Sequence, residues 1–156
     1  MPDAPSTPAT EALDRAGAAY RMVPFGPVRS VEEAAAARGI PLDALAKTLV
    51  VRTEEGAYTL VLVPGSAGLD YKKLRAHLGL RRLTMPDPDE ARAATGYERG
   101  TITPLGAGGW PVIVDRRLIG LPEVSVGAGT RGWAIHLDPQ ALLSALPGAE
   151  VADVST

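Results

Sequence analysis

Residue types that do covalent or metal chemistry are scarce in this chain. It has no cysteine, which excludes disulfides, thiolate metal sites and a cysteine nucleophile together. Its two histidines, His77 and His136, are far apart, and neither stands in a serine–aspartate pattern that would make a triad. No metal site is expected from two histidines without a cysteine, and no cofactor is expected either. The acidic group Asp87, Asp89 and Glu90 follows the preference of a helix N-terminus for negative charge. It offers no carboxylate pair for acid–base work. What remains is Lys47, with Leu45-Ala46 before it and Thr48-Leu49-Val50-Val51 after it. A lysine stem lying against apolar surface can hold its ammonium at one point of a pocket. Two glycine-bearing loops, residues 96–106 and 127–129, are the stretches that would build such a pocket, because bare backbone can approach a ligand closely.

Each of these features also has a plainer reading. Residues 127–132 satisfy the three-glycine spacing of a dinucleotide-binding turn, but that turn must be followed by a helix. Trp133-Ala134-Ile135-His136-Leu137 follows instead and reads as a strand, so the fingerprint is rejected. A hairpin turn is the simpler account of Gly127-Ala128-Gly129, with close approach to a ligand as the alternative. Glycine and proline punctuate any turn, yet the length of the 97–109 stretch without periodicity leans towards a binding loop. Lys72, Lys73 and Arg75 on one predicted helix, with Arg81 and Arg82 just beyond, form the one basic cluster. It reads either as a solvated face or as a landing surface for nucleic-acid phosphates. A formal net charge of −2 carries no global nucleic-acid signal.

The elements that must position these residues follow from caps and periodicity. A chain of 156 residues is read as one domain, spanning 7–156, with residues 1–6 as a disordered tail. No apolar run is long enough to span a bilayer and no signal-peptide pattern opens the chain, so a cytoplasmic location is expected. Thr7 before Pro8 predicts a helix over 8–16, and residues 20–23 read as a strand. Ser30-Val31-Glu32-Glu33 matches a capping box, and its helix ends at Gly39. A helical turn over 41–45 leads into a hairpin of strands 48–52 and 58–63, both buried on two faces at the centre of a sheet. Asp70 caps a helix over 71–78 with Tyr71, Leu74 and Leu78 on one face. A short strand is expected over 80–84. Asp87-Pro88 opens a helix that ends at Gly96. Strands are predicted over 111–114, 118–121, 124–126 and 133–137, then a last long helix over 138–146 and an edge strand over 150–154. Helices and strands interleave irregularly, with four strands in succession late in the chain, which makes the class α+β.

The order and spacing of several of these segments resemble the YbaK/prolyl-tRNA-synthetase-associated family over nearly the whole chain. The segments are Lys47-Thr48-Leu49, Leu69 to Leu74, Gly96-Tyr97, Gly100, Ile102 to Gly106, Val126 to Gly129 and Arg131-Gly132. The resemblance implies a mixed, partly barrel-like sheet surrounded by helices. It implies an aminoacyl-tRNA deacylase that hydrolyses the ester of a mischarged tRNA, commonly tRNA(Pro) carrying a small non-cognate amino acid (Cys, Ala, Ser or Thr). Lys47 would be the central catalytic residue, positioning the substrate without acting as a covalent nucleophile. Gly100, Thr101, Ile102 and Pro104 would line the aminoacyl pocket together with Gly127, Ala128 and Gly129. The tRNA contacts would be Lys72, Lys73, Arg75, Arg81 and Arg82, with Arg131. The implied partners are aminoacyl-tRNA and prolyl-tRNA synthetase. Thr101 stands where many relatives carry a second glycine, Gly127-Ala128-Gly129 where some carry Ser-Gly-Gly, and Ala134 at a position acidic in some. These departures leave the edited amino acid open. The competing reading is a non-catalytic module of the same fold that binds an aminoacyl-adenosine, a tRNA or a synthetase. An open pocket around Lys47 would favour the enzyme, and one blocked by bulky side chains the binding module.

Overall fold

The computed structural model describes residues 3–156; Met1 and Pro2, part of the expected tail, lie outside the described residues. In chain order the elements are α1 (Pro8–Arg15), β1 (Arg21–Pro24), α2 (Val31–Arg38), a 3-10 turn (Leu42–Ala44), β2 (Ala46–Glu54), β3 (Ala57–Pro64) and α3 (Tyr71–Leu78). There follow α4 (Pro88–Thr95), β4 (Val112–Asp115), α5 (Arg116–Ile119), β5 (Val124–Gly127), β6 (Trp133–Leu137), α6 (Pro139–Ser144) and β7 (Glu150–Ala152). Every helix begins at a Thr, Ser or Asp whose side chain accepts a backbone N–H of the first turn, which satisfies a donor the helix itself leaves free.

One sheet has the order β2-β3-β4-β7, antiparallel at the β2–β3 hairpin and parallel thereafter. The other has the order β1-β6-β5 and is antiparallel throughout. A parallel bridge between Leu45 and Ser125 joins them, so β5 runs beside the start of β2. This is the α+β, mixed and partly closed architecture. Strand alternation explains why the first sheet is buried on both sides. Ala46 and Val50 pack with Leu60, Leu62, Val112 and Val114 in the main core, while Val51 packs with Val61, Val63, Ile113 and Leu74 under α3. A third cluster, Ala34, Ala35 and Leu45, seats α2. Among the described residues no helix is long and apolar enough to cross a membrane.

Several expectations need correction. Residues 118–121 are not a strand. Asp115, fully buried, accepts the Arg117 N–H at 3.2 Å and starts the helical turn α5 there. Three of the four strands expected over this stretch therefore form, and α5 separates β4 from β5 and β6. Residues 80–84 form no strand: Leu80, Arg81 and Arg82 are exposed, and only Thr84 pairs, with Arg52. Tyr71 is 38% exposed and does not join Leu74 in the core. The last helix, α6, is short and closes at Ala145 ahead of Pro147, since a residue preceding proline is pushed out of helical geometry. Strand β7 stops at Ala152 because the next donors turn away from the sheet: the Val154 and Ser155 N–H groups both donate to Asp115 Oδ1, at 2.9 and 3.0 Å.

Two stability predictions follow from buried polar groups. Asp115→Ala leaves three N–H groups without their acceptor and is expected to cost about 3 kcal/mol or more, read from the urea midpoint. His136 lies 1% exposed on β6 with neither ring nitrogen hydrogen-bonded. Burial pulls its pKa below the ordinary 6.5, helped by Arg21 and Arg38 and opposed by Glu123. The unfolded chain therefore binds the proton more readily than the fold does. The contribution of His136 is complete above the unfolded value and is lost as pH falls towards the folded one. Urea midpoints should drop between about pH 7 and 5, and His136→Gln should flatten that part of the profile.

Candidate active site

Lys47 lies within β2, one residue inside the strand and opposite Val63 of β3. Because β2 is the outer strand of its sheet, a side chain near its start reaches the seam where β5 joins. The Lys47 ammonium donates to the carbonyl of Ala67, in the loop that follows β3. An ammonium has three donors, so two remain for a ligand. The side chain lines a cleft of about 590 Å³ with Arg29, Arg38, Arg99, Phe25, Thr48 and Ile102, closed on one side by Gly100 and Gly127. Among the described residues, four cations face this space, and no carboxylate or histidine lines it.

The cations are placed by different elements. Arg38 ends α2, donates to Ser125 Oγ at 3.2 Å, and holds its guanidinium 4.8 Å over the Phe25 ring. Burial lowers its pKa from the usual arginine range, although a guanidinium stays protonated. Its Nε and the Thr48 hydroxyl are both buried without a protein partner. Arg29 stands just before the Ser30 cap of α2, and Arg99 lies in the loop after α4; both are exposed. An apolar chamber of about 390 Å³ adjoins the cleft. The two share Thr48, Leu49, Arg99 and Ile102, and the chamber adds Met85, Pro86 and Pro88.

The two glycine loops meet as backbones. The Gly129 N–H donates to the Thr101 carbonyl at 3.0 Å. A Cβ on Gly127 would stand 2.6 Å from the Ile102 carbonyl oxygen and 2.9 Å from that of Thr101, so no larger residue fits without moving the loop. Gly129, at φ +80°, is stacked against Tyr97, where a Cβ would come within 2.6 Å of the ring. The Tyr97 hydroxyl donates to the Leu105 carbonyl at 2.6 Å, and burial, with a smaller push from Glu11, raises its pKa to about 12. The tyrosine is a strut for both loops. From outside, Thr7 Oγ1 donates to the Ala128 carbonyl at 2.7 Å.

Lys47, Gly100, Ile102 and Gly127 thus come together around one cleft. Thr101, Ala128 and Gly129 stand behind it as support, with Thr101 and Ala128 buried. Pro104 borders a separate cavity of about 180 Å³ beside Trp110. The basic cluster is not brought to the cleft. Lys73 Nζ is held by Asp153 at 3.0 Å and by the Ser155 carbonyl at 2.9 Å. Arg82 borders a groove with Arg52, Tyr58 and Glu90, and Lys72, Arg75 and Arg81 lie outside the cleft wall. Arg131 is exposed and ion-pairs with Glu98 at 3.6 Å. Sequence reasoning missed Arg29, Arg38 and Arg99. Arg99 was signalled by its place between Gly96 and Gly100, whereas Arg38 reads as an ordinary last-turn cation of a helix.

Gly127→Ala is expected to displace the 101–102 backbone and to cost about 1–3 kcal/mol by overpacking. Amide shifts at residues 101–103 and the urea midpoint would report both effects.

The model of the aminoacyl-tRNA editing domain family matches residues 26–145. EbsC of Enterococcus faecalis, a candidate Cys-tRNA(Pro)/Cys-tRNA(Cys) deacylase, is 32% identical over 128 residues, covering 81% of this chain and 77% of that protein. The proline–tRNA ligase of Shouchella clausii is 31% identical over 133 residues, 85% of this chain but only 22% of the ligase, so the chain spans about a fifth of that relative. The solved structure of a candidate trans-editing enzyme for prolyl-tRNA synthetase superposes with a TM-score of 0.86 at 32% identity, covering 98% of this chain and 99% of that one. With this fold, and a family match over most of its length, the chain belongs to the aminoacyl-tRNA editing domain family.

Proposed function

We propose that the protein is a trans-editing aminoacyl-tRNA deacylase, hydrolysing the ester of tRNA(Pro) mischarged with a small amino acid. The observation that carries this reading is the open cleft where Lys47, Ile102 and the Gly127 backbone meet among four cations and no carboxylate. The 3′ end of a tRNA is polyanionic, and such a cleft attracts phosphate while its glycine edges leave room for the terminal ribose. The openness of the cleft around Lys47 also favours catalysis over the non-catalytic module of the same fold.

An aminoacyl ester is already activated, so the barrier to be lowered is modest. The lining offers no general base among its side chains, and the reaction proceeds by position and electrostatics. Lys47, fixed by Ala67, presents its remaining N–H donors to the ester oxygens and stabilises the oxyanion as water adds. The ester C–O bond then breaks, the proton given up by the water passes to the departing ribose oxygen, and free amino acid and tRNA are released. The cleft wall holds the carbonyl in one orientation, which converts solvent attack into a near-unimolecular event. Selectivity for a small residue is set by space at Ile102. Discrimination by one methylene is worth only about 1–3 kcal/mol, which is why a second hydrolytic sieve is useful. The amino acid edited and any requirement for prolyl-tRNA synthetase are for the assay to determine.

The test is deacylation of tRNA(Pro) charged with Ala, Cys, Ser or Thr, with Pro-tRNA(Pro) as control. One or a few mischarged species should be hydrolysed. Lys47→Ala should lower kcat by about a hundredfold or more while the protein stays folded. Retention of activity in that variant would remove Lys47 from the mechanism. Binding of an aminoacyl-adenosine analogue without hydrolysis of any species would leave the non-catalytic module as the better account.

A further inference from the structure

We infer that Thr156, outside the cleft, is a positioning residue for the Lys47 ammonium. The inference rests on the role of Lys47 proposed above. The carbonyl that receives the ammonium belongs to Ala67. That carbonyl and the N–H of Gly68 are two ends of one planar, trans peptide unit, so they point in opposite directions and turn together. The Gly68 N–H donates to Thr156 Oγ1 at 3.0 Å. The peptide that holds the lysine on one side is therefore held on its other side by a hydroxyl 88 positions later in the chain. The bond to the N–H also polarises the carbonyl and strengthens it as an acceptor.

The other hydrogen bonds of this loop do not set that plane. The Gly65 N–H donates to the Leu45 carbonyl at 2.7 Å and the Ala67 N–H to the Pro64 carbonyl at 3.0 Å, and both belong to earlier peptide units. Thr156 is itself firmly placed. Its N–H donates to the Gly68 carbonyl at 2.9 Å, and Arg117 donates to the Thr156 carbonyl at 3.1 Å. One residue back, Ser155 pairs with Leu69, its N–H is taken by the buried Asp115 carboxylate, and its carbonyl accepts from Lys73. The Val154 carbonyl accepts the Asp70 N–H at 2.8 Å, and its side chain is wholly buried beneath α3. A continuous run of hydrogen bonds therefore leads from the core to the lysine, and its last link is one exposed hydroxyl. Lys73, expected from the sequence to face tRNA, is part of this support.

Thr156→Val keeps the branched shape and deletes the acceptor, whereas Thr156→Ser keeps it. Gly68 is exposed, so water can take the vacated N–H and the urea midpoint should hold in both variants. Thr156→Val is expected to lower kcat about tenfold with KM nearly unchanged, because the ammonium loses its fixed aim. Thr156→Ser should restore kcat. In protein labelled with ¹⁵N-lysine, the Lys47 ammonium signal should shift in Thr156→Val and return in Thr156→Ser. An unchanged signal and unchanged kcat in Thr156→Val would overturn the inference, as would equal losses in the Val and Ser variants. If Lys47→Ala kept full activity, the catalytic reading of Lys47 would fall, and the ammonium signal would still decide whether Thr156 positions it.

Discussion

The Thr101 carbonyl accepts the Gly129 N–H, and the bare Gly127 lies against the carbonyls of Thr101 and Ile102. This contact between two backbones is the constraint on which the site depends. It fixes how far the 97–109 loop stands from β5, and so where Ile102 and Gly100 lie relative to Lys47 on β2. The 97–109 loop has no ladder of its own, whereas the 127–129 loop leaves β5 at Gly127, paired there with Ala134 of β6. Tyr97 supplies the missing rigidity, its ring packed on Gly129 and its hydroxyl bonded to Leu105 within the same loop. A glycine is needed at 127 for space and at 129 for both space and a positive φ, so the two positions answer different physical demands.

The second constraint is electrostatic. The chain as a whole carries a formal charge of −2, yet the cleft gathers Lys47, Arg29, Arg38 and Arg99 with no acidic side chain in its wall. Such separation matters at short range, because exposed charges are screened within about 8–10 Å at ordinary ionic strength. The acids are used elsewhere, at helix N-termini and in pairs such as Arg52–Glu90 and Arg21–Glu123. Arg38 is the cation most tied to the fold. Its contact with Ser125 spans from α2 to β5, and its stacking on Phe25 orders the chain between β1 and α2.

Much of the architecture was legible because it is written locally. Asp70 and Gly79 bound α3 at the expected residues, and Trp133–Leu137 forms β6 as read. The rejection of a dinucleotide turn at 127–132 follows from that strand. The failures have a common cause in tertiary contacts that sequence windows do not contain. The 118–121 segment has the apolar pattern of a strand, but a buried carboxylate at 115 captures the Arg117 N–H and starts a helical turn. The apolar run puts the start of the strand at Thr48, just after Lys47, whereas pairing with Val63 extends β2 past it. The basic run 72–82 stood out by density, yet density along a chain does not measure where side chains converge. The cleft cations come from three separated stretches and carry no common signal.

The position of Lys47 explains why a strand, and not a loop, carries the group central to the cleft. Its stem leaves β2 on the same side as Leu49 and Val51, the side that packs under α3, while its neighbours Ala46 and Val50 fill the main core. A side chain on that side in the middle of a sheet would be sealed by a helix. Near the start of an outer strand, beside the Leu45–Ser125 seam, it reaches open space while its backbone stays in the ladder. The two faces of the sheet thus do different work at one residue: the core behind Ala46 and Val50 makes β2 immobile, and the Ala67 carbonyl across from it decides where the ammonium points. Rigid backbone and aimed charge are separable demands, and the fold meets them with separate parts of the chain.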